Sequence, residues 1–136
     1  MGTITLRWVE STLMVGSDSN GHSIVIGRSP DDKSQYIGVK PSDLLLISAA
    51  SCTAYDVVEI LLKQRQPLQD FKIICRGDQQ DEPPYKFTHI HIHFIIHGQV
   101  DPEKVRKAIQ LSEQKYCSVT NTLKSGVTIT SDYEII

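Results

Sequence analysis

The segment from Pro41 to about Arg65 constrains this chain more than any other. Its first half, LLLISAASCTA, is apolar or small on nearly every side of a helix, so it must be covered all round rather than lie on a surface. Pro41 supplies the fixed φ suited to a first helical turn, and Asp43 places an early carboxylate at the positive end of the macrodipole. Gln66-Pro67 ends the helix, because proline lacks an amide to donate and its ring clashes with the preceding turn. At 136 residues and 40% hydrophobic content the chain can build one continuous core, and a single domain over residues 1–136 is expected.

The flanking segments read as strands and shorter helices. Ile4, Leu6 and Trp8 alternate with polar neighbours, Leu13 to Val15 follow, and His22 to Ile26 comes after an Asn20-Gly21 turn, which predicts a small antiparallel sheet. Residues 28–38 mix Pro, Asp, Ser and Gly without a period and read as a surface loop. Leu68 to Arg76 and Tyr85 to His97 predict a hairpin across the polar stretch GDQQDEPP. Asp101-Pro102-Glu103 opens a second helix, with Val105, Ala108, Ile109 and Leu111 on its buried face and its end near Tyr116. Cys117 falls in the break before a short helical piece, SVTNTLKSG, and a last strand alternates Val127, Ile129, Ser131, Tyr133 and Ile135. The order βββ-α-ββ-α-α-β predicts an α+β fold with a long buried central helix.

A formal net charge of −2 provides no broad basic field, so nucleic acid is not expected as a partner. No apolar run approaches the roughly 20 residues that span a bilayer, and MGTITLRWVE alternates instead of forming a signal-peptide core. A cytoplasmic location without a membrane partner is the expectation. Cys52, Cys75 and Cys117 are too few and too scattered for a disulfide scaffold, and no CxxC pair marks a structural zinc site. Reduced or redox-active thiols are the natural reading.

Each cysteine has an ordinary reading beside the chemical one. Ala49, Ala50, Ser51, Thr53 and Ala54 leave space beside Cys52 for another chain or a small substrate, yet pattern alone favours a small buried hydrophobe there. Cys75 shares a strand face with Phe71 and Ile73 and reads as structural. Cys117 follows Lys115 and Tyr116 at a helix junction, where free amides and a cation would lower a thiol pKa. His89, His91 and His93 alternate along a strand and point to one face. Residues two apart on a strand stand about 7 Å apart, so adjacent members can chelate zinc but all three hardly can, and a solvated strand face is the expectation. The carboxylates of GDQQDEPP and DPEKVRK have turn and helix-start reasons to be there, and there is no GxxxxGK[ST], GxGxxG or GxSxG.

Two segments carry more than pattern. GVKPSDLLLISAASCTAYDVVEILLKQRQPL resembles the central helix of OsmC and organic-hydroperoxide-resistance proteins, and VRKAIQLSEQKYCSVTNTLKSGVTITSDYEI resembles their C-terminal cysteine region. Between them, DEPPYKFTHIHIHFIIHG is similar to a strand of one OsmC subgroup, and the likeness extends from TLRWVE nearly to the C-terminus. The resemblance implies an OsmC-like fold, with antiparallel sheets around the central helix, and an intertwined homodimer with its sites at the subunit interface. It implies a peroxidatic role for Cys52 and a resolving role for Cys117, and none for Cys75. It further implies a thiol-dependent hydroperoxide reductase of the oxidative stress response. The Cys52 thiolate would cleave the O–O bond and become a sulfenic acid, Cys117 would condense with it, and an external thiol or dithiol would reopen the disulfide without flavin, metal or other cofactor.

The sequence departs from that pattern at one place. Well-characterised peroxidase members orient an activating arginine with a glutamate just after the helix-opening proline, and Ser42 stands at that position here. Asp43, one residue on, is turned by about 100° around the helix. None of Arg7, Arg28 and Arg76 falls in register with the family's arginine. A second reading follows, a non-catalytic dimer that senses oxidation or binds a small apolar ligand; metal binding at His89, His91 and His93 is a third.

Overall fold

The computed structural model describes residues 2–136, which form two compact units divided between Leu45 and Leu46. The first unit contains the strands β1 (Thr5–Glu10), β2 (Leu13–Ser17) and β3 (Ser23–Ile26), paired antiparallel in the order β1-β2-β3 as their alternation predicts. Asp18 closes the β2–β3 turn, its carboxylate accepting the amides of Asn20 and His22 at 2.9 and 2.8 Å. In the loop that follows, Arg28 donates to the Lys33 carbonyl at 2.8 Å and lies 4.8 Å over the Tyr36 ring.

The second unit is built on a sheet of order β4-β5-β6: β4 (Leu68–Gln79), β5 (Phe87–Gly98) and β6 (Thr128–Ile135). β4 and β5 form the expected antiparallel hairpin, but β6 runs parallel to β5, so this sheet is mixed rather than antiparallel. The reason is the connection: parallel neighbours need a long crossover, and the helical segment after Gly98 supplies it. β4 also continues past Arg76 through Gly77, where glycine is needed because a Cβ would meet the Phe87 ring at 2.5 Å and Leu46 at 2.8 Å. Gly77 is thus a site of close approach within a strand, not a turn.

Helix α1 (Pro41–Lys63) starts at the predicted proline and buries the stripe Ala49, Thr53, Val57 and Leu61. Val57 and Leu61 pack in one cluster with Ile90, Ile92, Phe94 and Ile96 of β5 and with Val105, Ala108 and Ile109 of α2 (Pro102–Leu111). Each such aliphatic side chain contributes about 1.5–3 kcal/mol when fully buried. Among the described residues α1 is not covered all round: Ile47, Tyr55 and Leu62 are 51%, 72% and 58% exposed. By length and composition α1 is also apolar enough to cross a membrane, which corrects the expectation that no segment approaches that length. Ser48, Ser51 and Thr53 interrupt the apolar run without making the helix polar, and the stripe of Val57 and Leu61 is spent on the sheet.

The opposite face of β5 carries the three histidines. His89 Nε2 and His91 Nδ1 lie 2.6 and 2.7 Å from the Thr130 hydroxyl, and His91 Nε2 and His93 Nδ1 lie 2.9 and 2.7 Å from one oxygen of Asp132. His93 Nε2 continues to Glu134 at 3.3 Å. Carboxylates only accept, so His93 must carry both ring protons to serve Asp132 and Glu134 together. Its pKa is accordingly raised, first by Asp132 and then by Glu134, and that of Asp132 is lowered by His93 and His91. Across β4 this face is completed by Asp78, Arg76 and Ile74, opposite His89, His91 and His93 respectively.

The ladder predicts a pH window for the β5–β6 pair. The His93 contribution is fully present below about pH 6.5 and is lost as pH rises through the raised folded value, whereas the Asp132 contribution is present above about pH 3.9 and is lost as pH falls through the lowered one. Amide exchange of β6 should be slowest in weak acid, and Asp132→Asn should return the His93 titration seen by NMR toward the ordinary imidazole value. A His93 titration unmoved by that substitution would contradict the ladder.

Candidate functional site

Helix α1 presents Cys52 beside its buried stripe, so that the thiol is only partly covered. The second thiol arrives from the crossover. Asp101 caps α2 by accepting the Glu103 amide at 3.0 Å, and Val105, Ala108 and Ile109 anchor the helix in the core. After Leu111 the helix widens into a π-turn, Ser112–Tyr116, closed by the Cys117 amide donating to the Ser112 carbonyl at 2.8 Å. Cys117 then leaves helical geometry, with φ −73° and ψ 105°, and its sulfur accepts the Thr120 amide at 3.4 Å to cap helix α3 (Ser118–Leu123). Asn121 secures the bend by donating to the carbonyls of Glu113 and Cys117 at 3.0 and 2.7 Å.

The helical segment that opens at Pro102 ends at Tyr116, its α-helical part giving way to the π-turn after Leu111, and its buried face differs from the expected one by one residue. Leu111 is 39% exposed, while Ser112 is fully buried. Val105, Ala108, Ile109 and Ser112 follow the helical spacing, and the last of them meets polar partners on α1.

The arrangement places the two thiols close enough to influence each other and divides them electrostatically. Burial alone would raise the Cys52 thiol, but the Cys117 thiol, the amides of Val119 and Ser118 and the Ser118 hydroxyl together hold it below its usual value. The Ser118 Oγ stands 3.9 Å from the Cys52 sulfur. Cys117, with 0% exposure, is raised by burial and by Cys52, with Thr120 offsetting part of the rise. A lowered thiol therefore faces a raised one. The expectation that free amides and Lys115 would acidify Cys117 is corrected: the Thr120 amide offsets only part of its rise, the Val119 and Ser118 amides act on Cys52, and the Lys115 Nζ lies 5.5 Å over the Tyr116 ring.

The remaining candidates lie elsewhere. Cys75 faces the core from β4, and burial raises its thiol, in keeping with a structural role. His89, His91 and His93 look away from α1, and among the described residues no group of three or more His, Cys, Asp or Glu is arranged to hold a metal ion. Arg76 is on that same outer face, 3.8 Å from Asp78. The donors that lower Cys52 are a thiol, a hydroxyl and two amides, with no guanidinium among them. Sequence reasoning missed Ser118, Val119, Ser112, Thr53 and Asp56. Only the serine next to Cys117 at a helix start gave a usable signal.

Fold and site together define a small α+β protein in which a partly exposed cysteine with a lowered thiol neighbours a buried one with a raised thiol. The profile of the OsmC-like protein family matches residues 30–132, and Protein YhfA of Escherichia coli K12 is 36% identical over 132 residues, 96% of this chain and 96% of that protein. The chain belongs to the OsmC-like family. Among solved structures, an OsmC-like protein from Mycoplasma pneumoniae matches with TM-score 0.83 and 18% identity, covering 100% of this chain and 97% of that one. An organic hydroperoxide resistance protein from Legionella pneumophila matches with TM-score 0.69 and 12% identity over 98% and 96% of the two chains. At those identities the two structures speak to the fold.

The donor set predicts the order in which the cysteines react. Alkylation of Cys52 should have its midpoint below that of an ordinary thiol, while Cys75 should react only at higher pH. Ser118→Ala and Cys117→Ala should each displace the Cys52 profile upward, read by mass spectrometry of the alkylated peptides against pH. Profiles identical to wild type in both variants would remove these groups as the cause.

Proposed function

We propose that this protein is a thiol-dependent hydroperoxide reductase in which Cys52 is the peroxidatic and Cys117 the resolving thiol. The observation that carries the reading is that Ser118, next to Cys117, stands against the Cys52 sulfur at 3.9 Å, and that the two thiols are displaced in opposite directions, Cys52 lowered and Cys117 raised. A peroxidatic sulfur must be a thiolate, whereas a resolving one does better to keep its proton until the first has been oxidised.

The Cys52 thiolate attacks the distal oxygen of ROOH, the O–O bond breaks, and the departing alkoxide takes up a proton to leave as ROH. Cys52 is then a sulfenic acid. Cys117 condenses with it, forming the disulfide and releasing water. An external thiol or dithiol restores both sulfurs by exchange, so the cycle needs no bound cofactor. Family membership and the likeness to a hydroperoxide resistance protein support a redox or peroxide-related role, with a place in the oxidative stress response. In this reading the protein works in the cytoplasm as a homodimer, a second copy covering the exposed side of α1 at Ile47, Tyr55 and Leu62.

A second reading is favoured by Ser42, which replaces the acid that orients an arginine in well-characterised peroxidase members, and by a hollow of about 340 Å³ in the first unit. Ile4, Leu6, Ile24, Ile26 and Leu44 give that hollow an apolar lining suited to a small ligand. Here the cysteine pair would register oxidation without sustained turnover.

Peroxide consumption with a dithiol reductant separates the two. Wild type should turn over hydrogen peroxide or an organic hydroperoxide, Cys52→Ser should fall to background, and Cys117→Ser should undergo a single oxidation and stall as a trappable sulfenic acid. Equal rates in wild type and Cys52→Ser would move the protein to the sensing or binding reading.

A further inference from the structure

We infer that Ser112 is a positioning residue that ties the supports of the two thiols together and so sets how readily Cys52 and Cys117 join. The inference deepens the thiol redox reading and rests on it. Ser112 is fully buried, and so, at 1% exposure, is Thr53. The Ser112 hydroxyl lies 2.8 Å from the Asp56 carboxylate and 2.9 Å from the Thr53 hydroxyl, both on α1. A carboxylate can only accept, so the single proton of Ser112 is committed to Asp56, and Thr53 must donate to the Ser112 oxygen. Direction as well as distance is thereby settled for the whole chain of three groups.

The same residue acts a second time through its backbone. Its carbonyl accepts the Cys117 amide at 2.8 Å, the bond that closes the π-turn. Thr53 adjoins Cys52 in sequence, and Asp56 lies one turn beyond it on a neighbouring line of the helix. One side of Ser112 therefore holds the helix that carries Cys52, and the other holds the amide of Cys117. A π-turn is a strained insertion that tends to occur where position matters, and here its first residue is the one buried against α1. No apolar residue at position 112 could make either side-chain bond, and Thr53 and Asp56 would then lose a buried partner.

Disulfide formation depends on how often the two sulfurs meet in reacting geometry, which is an effective concentration fixed by the scaffold. Loss of the Ser112 hydroxyl frees α1 and the π-turn to move apart while leaving both cysteines and the backbone bond in place. The disulfide is favoured in proportion to the order already present in the dithiol form, so loosening that form lowers the equilibrium constant for closure.

The test is equilibration of the full-length protein with mixtures of reduced and oxidised dithiothreitol, with the state of each cysteine read by peptide mass after alkylation. In this reaction the dithiol gives two electrons and two protons to the Cys52–Cys117 disulfide and closes to its own cyclic disulfide. Ser112→Ala and the isosteric Thr53→Val should each shift the equilibrium toward the reduced protein by about tenfold, and Thr53→Ser, which keeps the hydroxyl, should match wild type. Melting is followed in parallel. A lower melting temperature with an unchanged dithiol–disulfide equilibrium in both variants would make these bonds merely structural and overturn the inference. So would a wild-type protein that forms no Cys52–Cys117 disulfide. Should Ser112→Ala fail to fold, Thr53→Val decides alone. A shifted equilibrium in a protein that consumes no peroxide would retain the positioning role and remove the peroxidase, so the two failures remain distinct.

Discussion

The packing of one helical stripe on one sheet face governs everything else in the second unit. Val57 and Leu61 of α1 enter a cluster with Ile90, Ile92, Phe94 and Ile96, and α2 completes it through Val105, Ala108 and Ile109. Because α1 and α2 are both seated on this face of the sheet, their polar residues meet at its margin. Thr53 and Asp56 reach Ser112 there, and Cys52 lies beside Cys117. The two cysteines are separated by nearly half of the chain in sequence and brought together by hydrophobic burial. Its acidity is a by-product of that assembly: the groups that lower Cys52 all belong to Cys117, Ser118 and Val119, which the core delivers.

Much of this was legible from the residues. Strand alternation separated Ile90, Ile92 and Phe94 from His89, His91 and His93, since a period of two leaves little choice once one face is apolar. Pro41, Gln66-Pro67 and Asp101-Pro102-Glu103 marked helix ends through local chemistry that does not depend on the rest of the fold. Residues whose meaning lies across space were harder. Ser112 resembles any polar helical residue until Thr53 and Asp56 are placed against it, and Leu111 drew attention only because it is larger and more apolar. SEQKY carries no breaker to announce a π-turn. Gly77 resembled a turn because its reason for being glycine is Phe87, across the hairpin, and Leu46, on the helix.

The family pattern pointed to Cys52 and Cys117 and raised the question of what lowers the first. Ser42 removes one familiar support, and the short α3 supplies another, made of amides and a hydroxyl. Such donors differ from a guanidinium in one physical respect. Backbone amides are fixed by the helix they begin and bring no mobile charge, so they stabilise a thiolate only while α3 is formed and seated.

The parallel pairing of β6 with β5 gives this an order in time. A parallel neighbour can be reached only by a crossover, and the crossover between Gly98 and Thr128 carries Ser112, Cys117 and Ser118. A chain emerging from its N-terminus makes Cys52 long before any of these. During that interval the sulfur has none of its donors and behaves as a weak, unreactive thiol. The lowering of Cys52 coincides with the arrival of the crossover that also brings Cys117, so the sulfur is not acidified before its neighbouring thiol is in place.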